Sequence, residues 1–240
     1  MGHDWLGELT NLKNLLYGKT YFEYEGIPDV IGKLTNLEEY DCSYTLYNGP
    51  LKGEIFSNTL NLNWLSIGGN NFNSSIPYEL ASLPRLEFMY AEYAGIIGDL
   101  SFLPHMPSIV ELWIDRNYKM RGSIPPEIGN ISTLQSLSIT DTGLIGTLPS
   151  ELGLLPLKQF WGNSNGRLRG QIPSELGQLE DLVHISLVKT SLSGTVPDEI
   201  CANTISSSGI LRILETDCQE DVGTVDCPCC SCCGNECIIP

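Results

Sequence analysis

The sequence predicts an α/β solenoid, a right-handed superhelix of about eight coils of 23–25 residues with a parallel concave β-sheet and a cysteine-rich C-terminal cap. A Gly-x-(Ile/Leu/Val)-Pro motif recurs every 24 residues, as GSIP at 122, GTLP at 146, GQIP at 170 and GTVP at 194. An apolar-x-apolar core precedes each copy, and seven cysteines crowd between Cys218 and Cys237. A fixed period of this length is typical of stacked repeats, in which each unit buries its apolar side against its neighbours.

Earlier copies of the motif are degraded but stay in register. We interpret GDLS at 98–101, SSIP at 74–77, GEIF at 53–56 and a shortened GIP beginning at Gly26 as the same turn. This interpretation of GEIF implies about four extra residues, and a bulged turn, between Thr45 and Ile55.

Eight short strands are predicted from the apolar cores, because alternation of apolar residues is a strand signal. The first members of these cores are Leu15, Tyr40, Leu65, Met89, Leu112, Leu137, Phe160 and Ile185. Each core is followed three residues later by Thr20, Thr45, Asn70, Ala94, Asn117, Thr142, Asn165 or Thr190. We expect the polar members of this column to point inward and to satisfy buried backbone groups of the turn. Ala91 and Gly162 are unusually small for the inward positions that they occupy.

Composition and charge exclude several classes of protein. Twenty-four Gly and 14 Pro require frequent turns and rule out a long-helix protein. With 13 Lys and Arg against 29 Asp and Glu, the formal charge of -16 disfavours nucleic acid as a partner. No stretch approaches the roughly 20 apolar residues of a membrane-spanning helix.

The repeat consensus LxxLxxLxLxxNxLxGxIPxELGxL, clearest in residues 134–153 and 182–199, resembles the plant-specific class of leucine-rich repeat. That class includes receptor-kinase ectodomains, receptor-like proteins and polygalacturonase-inhibiting proteins. The resemblance covers about residues 5–200, so we expect a repeat domain at 1–200 and a cysteine-rich cap or tail at 201–240. The family's N-terminal cysteine-containing cap has no counterpart, and we expect that Met1 does not begin a complete module.

The positions beside the inward core residues should form the concave face. Aromatic and acidic residues concentrate there in coils two to five, which is typical of a protein or peptide interface with an affinity for basic ligands. Strand propensity alone is the simpler explanation of the aromatics, and a glycan stacked on the same rings is an alternative ligand. The ligand-binding candidates are Trp64, Phe88, Tyr90, Tyr93, Trp113 and Trp161, with Glu39, Asp41, Glu92, Glu111 and Asp115.

No pattern of residues supports catalysis or a cofactor. Gly18-Lys19-Thr20 resembles the end of a phosphate-binding loop but lacks its leading glycine. His184 near Ser186 lacks an orienting partner, and the Glu92–Asp115 pair lacks any sign of distinct acid and base roles. A hydrolase is therefore the least favoured function.

The cysteine tail predicts either disulfides or a metal-thiolate cluster. Its even number of cysteines, its capping position and the repeat resemblance favour disulfides, whereas the CPCCSCCGNEC segment could wrap zinc or copper. Cys42 remains as a buried free thiol, and residues 211–214 suggest one more shortened strand. The predicted disulfide cysteines are Cys201, Cys218, Cys227, Cys229, Cys230, Cys232, Cys233 and Cys237.

Two glycosylation sequons begin at Asn73 and Asn130. With the cysteine tail, they favour an extracellular or cell-surface location, although the chain as given shows no signal peptide. The sequence thus predicts a non-enzymatic, receptor-like or inhibitor-like recognition module, with a glycan-binding or cell-wall adhesion protein as the alternative.

Overall fold

The computed structural model describes residues 4–21, 25–204, 209–217, 225–233 and 236–237. The chain divides into two compact units, Met1–Met120 and Arg121–Pro240. Each unit is built from coils that run through a short strand, a tight turn and a short helix, which is the solenoid architecture that the sequence predicts.

The first unit contains five parallel three-residue strands in chain order. Their middle residues Leu15, Tyr40, Leu65, Met89 and Leu112 lie in register across the sheet, as the apolar cores predict. From Tyr40 onward these middle residues are fully buried, while the flanking residues face outward. The strands are Asn14–Leu16, Glu39–Asp41, Trp64–Ser66, Phe88–Tyr90 and Glu111–Trp113.

Helices of about one turn lie before the first strand and between the strands of the first unit. Pro28 and Pro77, both extended, precede two of them, where a residue without an N–H costs no helical hydrogen bond. Helices this short have little stability of their own and depend on packing against their neighbours. They are the 3-10 helices Asp4–Glu8, Asp29–Lys33 and Leu103–His105 and the α-helices Gly53–Phe56 and Tyr78–Ala81.

The second unit repeats this arrangement and continues into the tail. Leu137, Phe160, Ile185 and Leu214 lie in register on four parallel strands. The strands are Ser136–Ser138, Gln159–Trp161, His184–Ser186, Ile213–Thr216, Cys232–Cys233 and the antiparallel Glu236–Cys237. The helices are the 3-10 helices Pro126–Asn130, Ser150–Leu154 and Ser174–Gln178 and the α-helix Asp198–Cys201.

The extra strand suggested at 211–214 lies at Ile213–Thr216 instead. Leu214, not Leu211, takes the register of Ile185, because Leu211 forms an isolated bridge with Thr204.

Short parallel strands also form where each coil turns away from the main sheet. Their two to four residues are too few to show a clear alternating pattern, and the sequence did not predict them. The pairings are Ile97–Gly98 with Lys119–Met120, Arg167–Gly170 with both Ile145–Gly146 and Ser191–Leu192, and Gly194–Thr195 with Val225–Asp226. The motif glycines 98, 122, 146, 170 and 194 have φ between 86° and 94°, a backbone conformation that favours glycine.

The interpretation of GEIF as a turn copy was wrong. Gly53–Phe56 is a helix that packs against the helix Tyr78–Ala81 of the next coil, and Lys52 precedes it as Pro77 precedes that helix. The turn glycine of this coil is Gly49, with φ 119°. Buried Leu51 then corresponds to buried Ile76, so no four-residue insertion exists.

The inward polar column satisfies the backbone of the turns, as predicted. Asn117 Nδ2 donates to the carbonyl oxygens of Ala91 at 2.9 Å and Ile114 at 2.7 Å. Its Oδ1 accepts from the backbone N–H groups of Ala94 at 3.2 Å and Ile96 at 2.8 Å. Asn70 and Asn165 likewise hydrogen-bond to backbone groups of their own coil and of the preceding coil.

Candidate functional site

Three aromatic side chains lie in a row on adjacent strands of the first unit. The ring centroids of Trp64 and Tyr90 are 5.6 Å apart with a tilted geometry, and those of Tyr90 and Trp113 are 5.3 Å apart and nearly perpendicular. Each ring is half-buried on the outward side of the sheet. We call Trp64, Tyr90 and Trp113 the aromatic row. Edge-to-face contacts of this kind stabilise aromatic pairs beyond the area that they bury.

Tyr90 is also held by a carboxylate. Its phenolic Oη donates a 2.6 Å hydrogen bond to Oε2 of Glu111 on the neighbouring strand. Burial, with this bond to a negative acceptor, raises the pKa of Tyr90 well above its usual value. The phenol is therefore a fixed neutral donor, and the middle ring of the aromatic row has a defined orientation.

An acidic rim borders the aromatic row, and it consists of Glu39, Asp41, Glu92, Glu111 and Asp115. Burial raises the pKa of Glu92, and the negative charges of Asp115 and Asp41 raise it further. A Cβ at Gly68 would lie 2.9 Å from Oε2 of Glu92, so the bare glycine makes room for this carboxylate. The rim therefore concentrates negative charge at a partly desolvated position.

The remaining predicted residues of these strands lie on the same outward face. Asn14 Nδ2 donates to Glu39 Oε2 at 2.9 Å, and Asp41 Oδ1 accepts from the backbone N–H of Ser43 at 2.8 Å. Phe88 lies in register between Trp64 and Glu111. The structure thus gathers nine of the predicted ligand-binding residues on four neighbouring strands or within two residues of the ends of these strands.

Two predicted residues lie apart from this group. Trp161 belongs to the second unit, where its ring centroid is 5.2 Å from that of His184. Tyr93, which is 54% exposed, lies in the turn after its strand, with its ring 6.1 Å from that of Tyr118. Glu92 and Asp115 also lie in turns, but the ring of Tyr93 contacts that of Tyr118, a contact that the column pattern does not predict.

A cleft of about 340 Å³ opens at this turn, and the sequence did not predict it. Tyr93 and Tyr118 line it, and Arg116 and Lys119 bring positive charge to it. The other lining residues are Asn70, Asn71, Gly95, Ile96 and Asn117. We call it the flank cleft. A signal was present in the sequence, since Tyr93 and Arg116 occupy one repeat column, but Tyr118 and Lys119 lie outside the strand pattern.

The suggested pairing of His184 with Ser186 is not formed through Nε2. This buried nitrogen has no hydrogen-bond partner among the described residues and lies 4.0 Å from Oε2 of Glu215. Burial lowers the pKa of His184, and the charge of Glu215 opposes that shift only in part.

Comparisons with known proteins agree with the fold. The family model described as Leucine Rich Repeat matches residues 61–83. A plant peptide hormone receptor, RGFR1 in complex with RGF2, is 27% identical over 93% of this chain and 34% of its own, with a TM-score of 0.74. The ectodomain of the Arabidopsis receptor kinase HAESA, in complex with an IDA peptide hormone, is 26% identical over 80% of this chain and 31% of its own, with a TM-score of 0.68.

The chain has the fold of a leucine-rich repeat solenoid. The chain is similar to these plant receptors and spans about a third of their length. A plant ice-binding protein shares the fold at 20% identity, with 81% of this chain and 69% of its own covered and a TM-score of 0.63. A search of curated protein sequences finds no match.

The tail of the repeat protein contains disulfides, as predicted. Cys201 pairs with Cys229 and Cys227 pairs with Cys230. Cys42 is a buried free thiol, also as predicted, and burial raises its pKa well above the usual value. The side chains of the other four tail cysteines lie outside the described residues; they are Cys218, Cys232, Cys233 and Cys237.

Both sequon asparagines of the repeat protein are exposed. Asn73 lies in the turn after the Trp64–Ser66 strand, and Asn130 ends the 3-10 helix Pro126–Asn130. Neither occupies the strand face that carries the aromatic row. Within the described ranges, no helix is long and apolar enough to cross a membrane.

Proposed function

We propose that this chain is a non-enzymatic recognition module that binds a peptide or protein ligand, with a basic side chain in it, on the aromatic row and acidic rim. The observation that carries the proposal is the contact chain from Trp64 through Tyr90 to Trp113, bordered by carboxylates. No step of covalent chemistry is needed for this role.

The aromatic row suits a ligand that covers it. Rings that already contact each other are preordered, so a ligand that packs on them loses little side-chain entropy. Large aromatic side chains at the centre of a patch supply most of the binding energy in protein interfaces. The half-exposed faces of Trp64 and Trp113 are therefore the expected anchor points.

The acidic rim favours a ligand with Lys or Arg. Glu92 is crowded by Asp41 and Asp115, and its raised pKa reflects the cost of charging it there. A cation placed beside Glu92 would remove part of that cost, and it could also contact the faces of the neighbouring rings. Binding should then weaken with added salt.

The similar structures support this class of ligand. RGFR1 and HAESA are named as complexes with the peptide hormones RGF2 and IDA. Disulfides and exposed sequons support an extracellular or cell-surface location. We also propose that residues 201–240 serve as a cap of the repeat domain at 1–200, because a disulfide ties Cys229 to Cys201, the last residue of the helix Asp198–Cys201.

The test is a binding screen of peptide and oligosaccharide libraries against the wild type and Trp113→Ala. A peptide ligand predicts that Trp113→Ala loses at least about 2 kcal/mol of binding free energy and that affinity falls with salt. Trp5→Ala is the matched control, since Trp5 is 62% exposed in the helix Asp4–Glu8, away from the sheet.

The same screen separates the glycan alternative. A neutral sugar stacked on the rings would lose affinity with Trp113→Ala but would show no salt dependence. Equal binding by wild type and Trp113→Ala would contradict the proposed site.

A further inference from the structure

The flank cleft lies on the turns after the strands, beside the acidic rim. Its charged lining residues are positive, whereas the rim is negative. Arg116 and Lys119 both line it, although the chain as a whole carries a formal charge of -16. Its volume of about 340 Å³ falls at the lower end of the range for small-ligand sites, which is roughly 300–1,000 Å³.

The side chains of Arg116 and Lys119 are both able to bind an anion. Among the described residues, the guanidinium of Arg116 forms no ion pair. Lys119 Nζ donates one hydrogen bond, at 2.9 Å, to Oδ1 of Asn73, which leaves further donors of the ammonium group. Asn73 thereby holds Lys119 at the edge of the cleft.

Two rings complete the lining. Tyr93 is 54% exposed and Tyr118 51% exposed, and their planes are nearly perpendicular, at 89°. An incoming flat ring can therefore lie against the face of one tyrosine and the edge of the other. A cleft lined by two aromatic rings and two cations, with amide side chains beside them, favours a ring that carries a negative charge.

We propose that the flank cleft binds a carboxylate attached close to an aromatic ring, with Arg116 and Lys119 contacting the carboxylate and Tyr93 and Tyr118 contacting the ring. The C-terminal aromatic residue of a peptide and a free aromatic acid both carry this group. The proposal does not depend on the aromatic row, because none of the residues that it uses belongs to that row or to the acidic rim.

The experiment is a titration of the full, oxidised chain with four probes, observed through tyrosine ring signals in NMR spectra. N-acetylphenylalanine carries both groups, its amide lacks the charge, N-acetylalanine lacks the ring, and phenylacetate lacks the peptide group. Saturable shifts at Tyr93 and Tyr118 are expected with the first probe, while exposed Tyr78 stays unshifted.

The variant is Arg116→Gln combined with Lys119→Gln. Its matched control is Lys189→Gln combined with Arg167→Gln, because Lys189 shares the positive-φ turn position of Arg116, and Arg167 begins a short strand as Lys119 does. We expect about tenfold weaker binding of N-acetylphenylalanine for the variant and no change for the control. The amide should bind wild type and variant alike. Thermal unfolding of both double variants shows that the charges were removed without loss of the fold.

Several outcomes would overturn the proposal. They are equal binding of the acid and its amide to wild type, equal binding of N-acetylalanine, an unchanged affinity in the variant, or no saturable shift up to about 10 mM probe. If the proposal holds, tighter binding of N-acetylphenylalanine than of phenylacetate identifies a peptide C-terminus as the source of the carboxylate, and the reverse order identifies a free acid. Because Trp113→Ala leaves the flank cleft untouched, failure of this test and failure of the concave-face site are distinguishable.

Discussion

The phenolic O–H of Tyr90 donates a 2.6 Å hydrogen bond to the carboxylate of Glu111 on the next strand. The bond fixes the ring that lies between Trp64 and Trp113. It also places one carboxylate of the acidic rim beside the aromatic row, so the two parts of the candidate site are ordered together.

Tyr90→Phe should test this bond, since the ring remains and only the hydroxyl is lost. We expect the free energy of unfolding to fall by about 0.5–1.5 kcal/mol, the usual range for one hydrogen bond, because the site is only half-buried. Denaturant unfolding measures the loss. Tyr78→Phe, in a ring 63% exposed, is the control and should change little. Equal losses in the two variants would show that the Tyr90 bond contributes nothing of its own.

Asn117→Ala should destabilise the first unit more than Tyr90→Phe. Loss of the carboxamide leaves buried N–H and C=O groups without partners at each of its four bonds, and each orphaned group costs about 1–3 kcal/mol. Asn117→Thr should lose less, because Thr45 and Thr142 fill the same column and donate to the turn carbonyl. Denaturant unfolding, with exposed Asn130→Ala as control, gives the comparison. A loss under about 1 kcal/mol for Asn117→Ala would contradict the backbone-bridging role.

Glu92→Gln should stabilise the protein at neutral pH. Burial raises the pKa of Glu92 in the folded state, so the folded chain holds this proton more firmly than the unfolded chain. The resulting stability is full below the unfolded value of about 4.3 and is lost as the pH rises through the raised folded pKa. Stability measured against pH should therefore show the advantage of Glu92→Gln shrinking as the solution is acidified. Exposed Glu87→Gln should show no such trend; a matching trend in that variant would assign the effect to net charge.

Thiol counting should show one free cysteine. Alkylation without reductant is expected to modify none in the native protein, because burial shields Cys42 and raises its pKa, and to modify one after denaturation. Intact mass gives the count, and reduction should release all nine. Five modified thiols in the denatured, unreduced protein would mean that only the Cys201–Cys229 and Cys227–Cys230 bonds form.

The strand register could be predicted from the sequence because each coil has an apolar core at a fixed interval. In the second coil the turn motif was assigned to the wrong residues, because sequence similarity and the repeat spacing pointed to different positions. GEIF resembles the motif, but GPLK at 49–52 stands 25 residues before SSIP at 74–77, as Tyr40 stands before Leu65. The spacing, which follows from stacking, determines the structure there.

Other features leave no clear pattern in one sequence. Buried Tyr40 occupies a core position that is aliphatic in most coils. Its hydroxyl oxygen has a hydrogen-bond partner there, since it lies 2.6 Å from that of Tyr17, which in turn lies 2.8 Å from the hydroxyl oxygen of Tyr47. The flank cleft likewise depends on how consecutive turns stack, which composition and periodicity do not specify. On the concave face, residue columns predicted the neighbours correctly, but not the Tyr90–Glu111 bond.

The most direct test of the concave-face site follows the indole N–H signals of the four tryptophans while a peptide selected in the binding screen is added. Single Trp→Phe variants assign the signals. We expect the signals of Trp64 and Trp113 to shift together and to saturate at the affinity measured in the screen, while that of Trp5 stays unchanged. A saturating titration in which Trp64 and Trp113 do not move would contradict it.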